Sequence, residues 1–135
     1  MRAFIDSNIF VYAAQAHPEF GQKCRKIIED VEKDKLLGVT TSLNISEVVE
    51  AIDRVAGRNK SFATLELLLA LPIHIEPVYK EHLIMAKEYF NQYKINYFDC
   101  VYLAVMEEKF IKTIITNDAH FQEVDKINVI KPLEY

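Results

Sequence analysis

Ala3-Phe4-Ile5-Asp6-Ser7-Asn8-Ile9-Phe10 is the stretch that decides the fold. Three apolar residues halted by an acid and two capping residues predict a short buried strand that turns directly into a helix, running to about residue 14. The same alternation continues outward. Cys24, Ile27, Ile28 and Val31 recur at helical spacing, which predicts a helix over residues 20–37 with Gly38 as its closing glycine. Residues 39–41 then read as a strand and residues 42–56 as a second amphipathic helix closed by Gly57. A helix over residues 65–71 stops at Pro72, and residues 73–76 read as a strand ended by Pro77. Helices over residues 79–93 and 98–110, a strand over 112–116 and a last short strand at 128–130 complete the pattern. Short apolar strands separated by helices imply a single α/β domain over residues 1–135. The expected form is a three-layer sandwich around a mostly parallel sheet covered on both faces. In such sheets the working site lies at the carboxyl ends of the strands.

Composition removes several function classes. Of 135 residues, 16 are Lys or Arg and 20 are Asp or Glu, a net charge of −4, so the chain does not hold nucleic acid simply by being basic. The three glycines, Gly21, Gly38 and Gly57, are too scattered for a phosphate-cradling loop. No apolar run approaches the ~18 residues of a membrane span, and no charged-then-apolar leader precedes the first strand. Cys24 and Cys100 are too few for a disulfide scaffold or a paired-cysteine metal site. Reduced thiols and a cytoplasmic location are the expectation.

Four acids fall at element junctions. Asp6 ends the first strand, and Glu47 lies in the early turns of the helix after the second. Asp99 opens a helix, and Asp118 follows the strand that ends in Thr116. Each has a local explanation. Asp6 and Asp118 suit N-caps or Asx turns, Glu47 can close a capping box with Asn44, and Asp99 is favoured by the helix dipole. Their joint placement predicts that at least three converge on one rim of the sheet. Crowded carboxylates repel, and a hard divalent cation such as Mg²⁺ or Mn²⁺ relieves that repulsion through oxygen ligands. Such a centre activates water and stabilises a leaving oxygen, which suits phosphodiester hydrolysis.

With Phe4-Ile5-Asp6-Ser7-Asn8, Ser46-Glu47-Val48-Val49, Asp99 before a helix, and Ile115-Thr116-Asn117-Asp118-Ala119-His120-Phe121 in that order, the chain resembles PIN-domain nucleases. Within them it is most similar to the VapC-type ribonuclease toxins of toxin–antitoxin modules. The resemblance implies a five-stranded parallel sheet. It also implies that Asp6, Glu47, Asp99 and Asp118 bind one or two Mg²⁺ or Mn²⁺ ions, with Asn8 and Thr116 in support. RNA as substrate, a cognate antitoxin protein and a homodimer are implied with it. Cys100-Val101-Tyr102 is bulkier than the small residues often found after the third acid in this family.

Two other readings stay open at this level. One is a PIN-like protein that is not a toxin, either an RNA-processing nuclease or a catalytically silent RNA-binding scaffold. The other is a Mg²⁺-dependent phosphatase with Asp6 as nucleophile, although such enzymes usually place a second acid where this chain has Asn8. Arg54, Arg58 and Lys60 are the best local supply of phosphate contacts. Lys23, Arg25 and Lys26, followed by Glu29, Asp30 and Glu32, read as an ordinary exposed helix face. Tyr89, Tyr93 and Tyr97, with Met85, read as one aromatic stripe serving packing or a subunit interface. His120 reads as a local hydrogen-bonding residue rather than a phosphate contact.

Overall fold

A computed structural model describes all residues 1–135. Its strands are β1 (Arg2–Ile5), β2 (Leu37–Thr41), β3 (His74–Glu76), β4 (Thr113–Ile115) and β5 (Asn128–Ile130). They form one five-stranded sheet in the order β3-β2-β1-β4-β5, with every neighbouring pair parallel. The helices are α1 (Ser7–Ala14), α2 (Gly21–Glu32), α3 (Ser42–Ala56), α4 (Arg58–Ala70), α5 (Lys80–Gln92) and α6 (Tyr97–Glu108). No helix is long and apolar enough to cross a membrane.

The alternation of side chains along β1 separates two cores. Ala3 and Ile5 pack on one face of the sheet with Ile9 and Phe10 of α1, Ile27 and Val31 of α2, and Ile45, Val48 and Ile52 of α3. Phe4 enters the other core with Val101, Tyr102 and Val105 of α6, and its ring centroid lies 5.7 Å from that of Tyr102. Burying both faces of the sheet explains why β1 and β4 read as continuous apolar runs. It also fixes β1 as the central strand. Phe4 aligns with Val39 on one side and Ile114 on the other, so the carboxyl ends of β1, β2 and β4 reach one rim together.

Three boundaries differ from the sequence reading, each for a local reason. The second helix stops at Glu32, and Gly38 does not cap it. Asp34 makes the left-handed turn at φ 57°, and the Asp30 carbonyl accepts from the amides of Lys35 and Leu36. Gly38 lies instead within β2, where an added Cβ would stand 2.9 Å from Ile5 Cδ1 and 3.0 Å from Val31 Cγ2. The fourth helix starts at Arg58 rather than residue 65. Gly57, at φ 87°, ends α3 and begins α4. Ser61 and Thr64 hide the amphipathic pattern of its first turns. Both are buried, and their hydroxyls donate to the Val49 and Lys60 carbonyls. Finally, the box at the start of α3 pairs Thr41 with Asn44, not Asn44 with Glu47. Glu47 is therefore not used as a cap.

Candidate active site

Asp6 follows β1 without a break. Its amide donates to the Ile115 carbonyl at 3.0 Å, so the sheet continues to the acid itself. The side chain then divides its work. Oδ1 accepts from the Ser7 amide at 2.8 Å and caps α1, while Oδ2 accepts from the Thr116 hydroxyl at 2.7 Å and the Asn8 side chain at 3.4 Å. Asn8 also reaches across to the β4 side. Its Nδ2 donates to Thr116 Oγ1 at 3.2 Å, and its Oδ1 accepts from the Asn117 amide at 3.1 Å. Asn8 and Thr116 are thus hydrogen-bonded to Asp6 and to each other.

The other three acids enter from separate elements. Glu47, half-buried on α3, accepts from the Ser7 hydroxyl at 3.1 Å. Asp99 sits in the first turn of α6, whose cap is Asn96, and Asn96 Oδ1 accepts the Asp99 amide at 2.9 Å. Asp118 Oδ1 caps the short 3₁₀ turn Ala119–Glu123 by accepting from the His120 amide, and the His120 ring nitrogen lies 3.2 Å from the same oxygen. His120 is exposed and bonded locally, in line with its sequence reading.

Electrostatics shows that the four carboxylates share one field. Asp6 and Asp99 are both 5% exposed. Burial pushes the Asp6 carboxyl above its ordinary range, bonds from Thr116 and Ser7 oppose that shift, and the charge of Asp118 adds to it. Burial likewise raises Glu47, with the Ser7 hydroxyl opposing and Asp6 adding. Asp99 is pushed furthest, to about 8, first by burial, then by the charges of Asp6, Asp118 and Glu47, and by a bond with Asp118. Asp99 Oδ2 is buried without a hydrogen-bond donor. A buried carboxylate oxygen without a donor is costly, and this carboxyl also feels the charges of Asp6, Asp118 and Glu47. The four acids do not close on a single point, since no three Asp, Glu, His or Cys side chains form a group able to hold a metal ion as they stand.

Ser7, Thr41 and Asn44 belong to the site and were not singled out in the sequence. Asn44 is fully buried and donates to Ser7 Oγ, the hydroxyl that serves Glu47. Only the Ser-Asn pair after Asp6 hinted at them. Arg54, Arg58 and Lys60 lie exposed around the α3–α4 turn and take part in no ion pair. Lys26 is instead paired with Asp30, as an ordinary helix face would have it. The tyrosine stripe divides. Tyr89 and Tyr93 stack at 6.3 Å beside α6, whereas Tyr97 starts α6 and meets Phe90 edge-on at 5.6 Å.

Residues 3–127 match the family model of the PIN domain. No curated protein matches the sequence. Among solved structures, the chain resembles VapC20 of Mycobacterium tuberculosis, a sarcin-ricin loop cleaving toxin, with a TM-score of 0.79 at 16% identity over 94% of this chain and 98% of the other. VapBC2 from Rickettsia felis, bound to a DNA fragment from its promoter, matches with a TM-score of 0.74 at 16% identity, over 97% and 98% of the two chains. A toxin–antitoxin complex from Klebsiella pneumoniae matches at 0.70 and 15%, over 98% and 99%. At these identities the likeness is one of fold.

The crowding of Asp99 has a measurable consequence. Its folded pKa of about 8 lies above the ordinary 3.8, so between those values the folded chain binds a proton that the unfolded chain has lost. The stability this group contributes is full below about pH 4 and is lost as pH rises through 8. In EDTA-treated protein, the denaturation midpoint of the wild type should fall relative to Asp99→Asn across this range, by on the order of a few kcal/mol in unfolding free energy. Parallel pH profiles for the two proteins would contradict the crowding.

Proposed function

The chain belongs to the PIN-domain family, and from that premise we propose that it is a divalent-metal-dependent endoribonuclease, the cytoplasmic toxin of a toxin–antitoxin pair. The observation that carries this reading is the buried, undonated Asp99 Oδ2 on a carboxyl that feels the charges of Asp6, Asp118 and Glu47. The donor set consists of hard oxygens, without the cysteines or paired histidines that zinc prefers, and it fits Mg²⁺ or Mn²⁺. Asp6 and Asp99 are the direct ligands in this reading, and Glu47 and Asp118 act through water or a second ion. When bound, the ion lowers the pKa of an attacking water and offsets charge at the phosphorus. The chain supplies the positioning. The Thr116 hydroxyl and the Asn8 amide hold Asp6 Oδ2, and Asn117 in turn fixes Asn8. A cation held among the four carboxylates would offset their mutual repulsion.

Substrate and partners follow from the surface. RNA needs phosphate contacts that an acidic cleft does not offer, and Arg54, Arg58 and Lys60, free of ion pairs, supply them from the α3–α4 turn. An antitoxin protein as partner is supported by the Klebsiella toxin–antitoxin complex of the same fold. A second copy of the chain is supported by an exposed apolar face. Phe90 packs edge-on against Tyr97, Tyr97 reaches the Leu83 carbonyl, and Ile84 and Phe98 are also exposed, and exposed apolar side chains gathered in this way suit an interface.

Purified chain should cleave RNA with Mn²⁺ and stop with EDTA. Thr116→Val should slow cleavage about 10–100-fold, and Asp6→Asn more than that. Growth arrest on expression, lifted by Asp6→Ala, separates a toxin from a housekeeping nuclease. Equal Mn²⁺ binding by wild type and Asp6→Asn in calorimetry would remove the metal assignment. Arg58→Ala should weaken RNA binding and reduce the slope of log K against log salt by about 1, and an unchanged slope counts against that contact. Phe90→Asp should convert a dimer to a monomer in sedimentation, and a dimer that persists would place the interface elsewhere.

A further inference from the structure

The acid on α3 is served by a chain of hydrogen bonds whose direction the geometry fixes. The Thr41 amide and hydroxyl both donate to Asn44 Oδ1, at 3.1 and 2.6 Å. The Asn44 amide returns a bond to Thr41 Oγ1 at 3.1 Å. With two donors on its oxygen, the Asn44 carboxamide cannot be turned over without losing both, so its nitrogen must face outward. That nitrogen donates to Ser7 Oγ at 2.9 Å. One lone pair of Ser7 is then occupied, and its hydrogen goes to Glu47 Oε1 at 3.1 Å. Thr41 and Asn44 are fully buried, so water does not compete for the bonds between them, whereas Ser7 and Glu47 are half-buried.

The same wiring recurs beside it, around Asp6. There the Asn117 amide fixes Asn8 Oδ1, Asn8 Nδ2 donates to Thr116 Oγ1, and the Thr116 hydroxyl donates to Asp6 Oδ2. Both chains run from a backbone amide through an asparagine and a hydroxyl, and both end on a carboxylate oxygen that accepts. They share the segment Asp6-Ser7-Asn8, which contributes an acid and an asparagine to this second chain and a hydroxyl to the first. A cap for α3 needs only Thr41 and the Asn44 backbone and oxygen. The onward bond from Asn44 nitrogen to Ser7 adds nothing to the cap.

We propose that Thr41, Asn44 and Ser7 form a positioning chain that holds Glu47 as an acceptor turned into the cleft, so that the cation meets a carboxylate already oriented. The proposal rests on the metal-dependent reading above. Ser7 and Asn44 are positioning residues that act through Glu47. Removing a hydrogen-bonding partner of this kind weakens metal affinity about 10–100-fold.

The test is a double-mutant cycle on Mn²⁺ affinity, read by calorimetry with the melting temperature followed in parallel. Ser7→Ala leaves the Thr41–Asn44 cap intact. It should weaken Mn²⁺ about 10–100-fold and also lower the melting temperature, because the buried Asn44 nitrogen loses its acceptor, and Ser7→Thr, which keeps the hydroxyl, should restore both. In a Glu47→Gln background, Ser7→Ala should add almost nothing. Additive losses, or an unchanged affinity in Ser7→Ala while Asp6→Asn loses the ion, would overturn the chain and leave the metal site standing. Mn²⁺ binding that neither Ser7→Ala nor Asp6→Asn alters would overturn both.

Discussion

Asp6 brings a carboxylate to the end of the central strand of a parallel sheet and buries it there, and the rest of the site is arranged around that cost. An ionised carboxylate this deep is tolerated only with donors on its oxygens and an opposite charge nearby. The donors come from Ser7, Thr116 and Asn8. Part of the charge comes from the backbone. α1 begins at Ser7, α3 at Ser42 and α6 at Tyr97, and their amino ends bring partial positive charge to the rim where the acids meet. About half a unit charge per helix end does not balance four carboxylates, and Asp99 is left with its pKa at about 8. The fold meets only part of the electrostatic demand of the four acids.

The net charge takes a different meaning in this light. An excess of four acids spread over a surface would repel RNA everywhere. Here four of the acids share one cleft, while Arg54, Arg58 and Lys60 stand unpaired at the far end of the helix that carries Glu47. Field strength falls within a Debye length of ~8 Å in physiological salt, so the separated patches act on a substrate independently. A chain that is acidic overall therefore keeps a group of acids and a group of unpaired basic side chains on separate parts of its surface.

What the sequence disclosed was set by how local each interaction is. Strand ends followed by acids are local signals, so residue order alone locates Asp6 and Asp118, and with them the rim that gathers Glu47 and Asp99. The split of the apolar runs into two cores follows from period-two alternation in the same way. Asn44 could not be read as part of the site, because its partner Ser7 lies 37 residues away and nothing local distinguishes a cap from a relay. The start of α4 was hidden for a similar reason, since Ser61 and Thr64 look polar until their hydroxyls are seen bonded to carbonyls of the packed helices. Gly38 misled in the opposite direction. A glycine after an amphipathic run suggests a helix end, yet here the glycine is small because Ile5 and Val31 leave no room beside β2.

Capping and catalysis are usually weighed as rival explanations for an acid at a helix start, and this site shows why the choice is false. A carboxylate has two oxygens and about four acceptor positions. Asp6 gives Oδ1 to the Ser7 amide and presents Oδ2 to Thr116 and the cleft, so the cap clamps the side chain that the cleft uses. Asp118 does the same with the His120 amide on Oδ1. Asp99 lies within its helix rather than at the cap, because Asn96 has taken that position, and its Oδ2 is the oxygen left without a donor. At α1 and at the turn after Asp118, the start of the helical segment thus orients an acid through bonds it requires in any case. Orientation is obtained there without ordering additional residues, and the conformational entropy already lost in starting the turn also fixes the carboxylate.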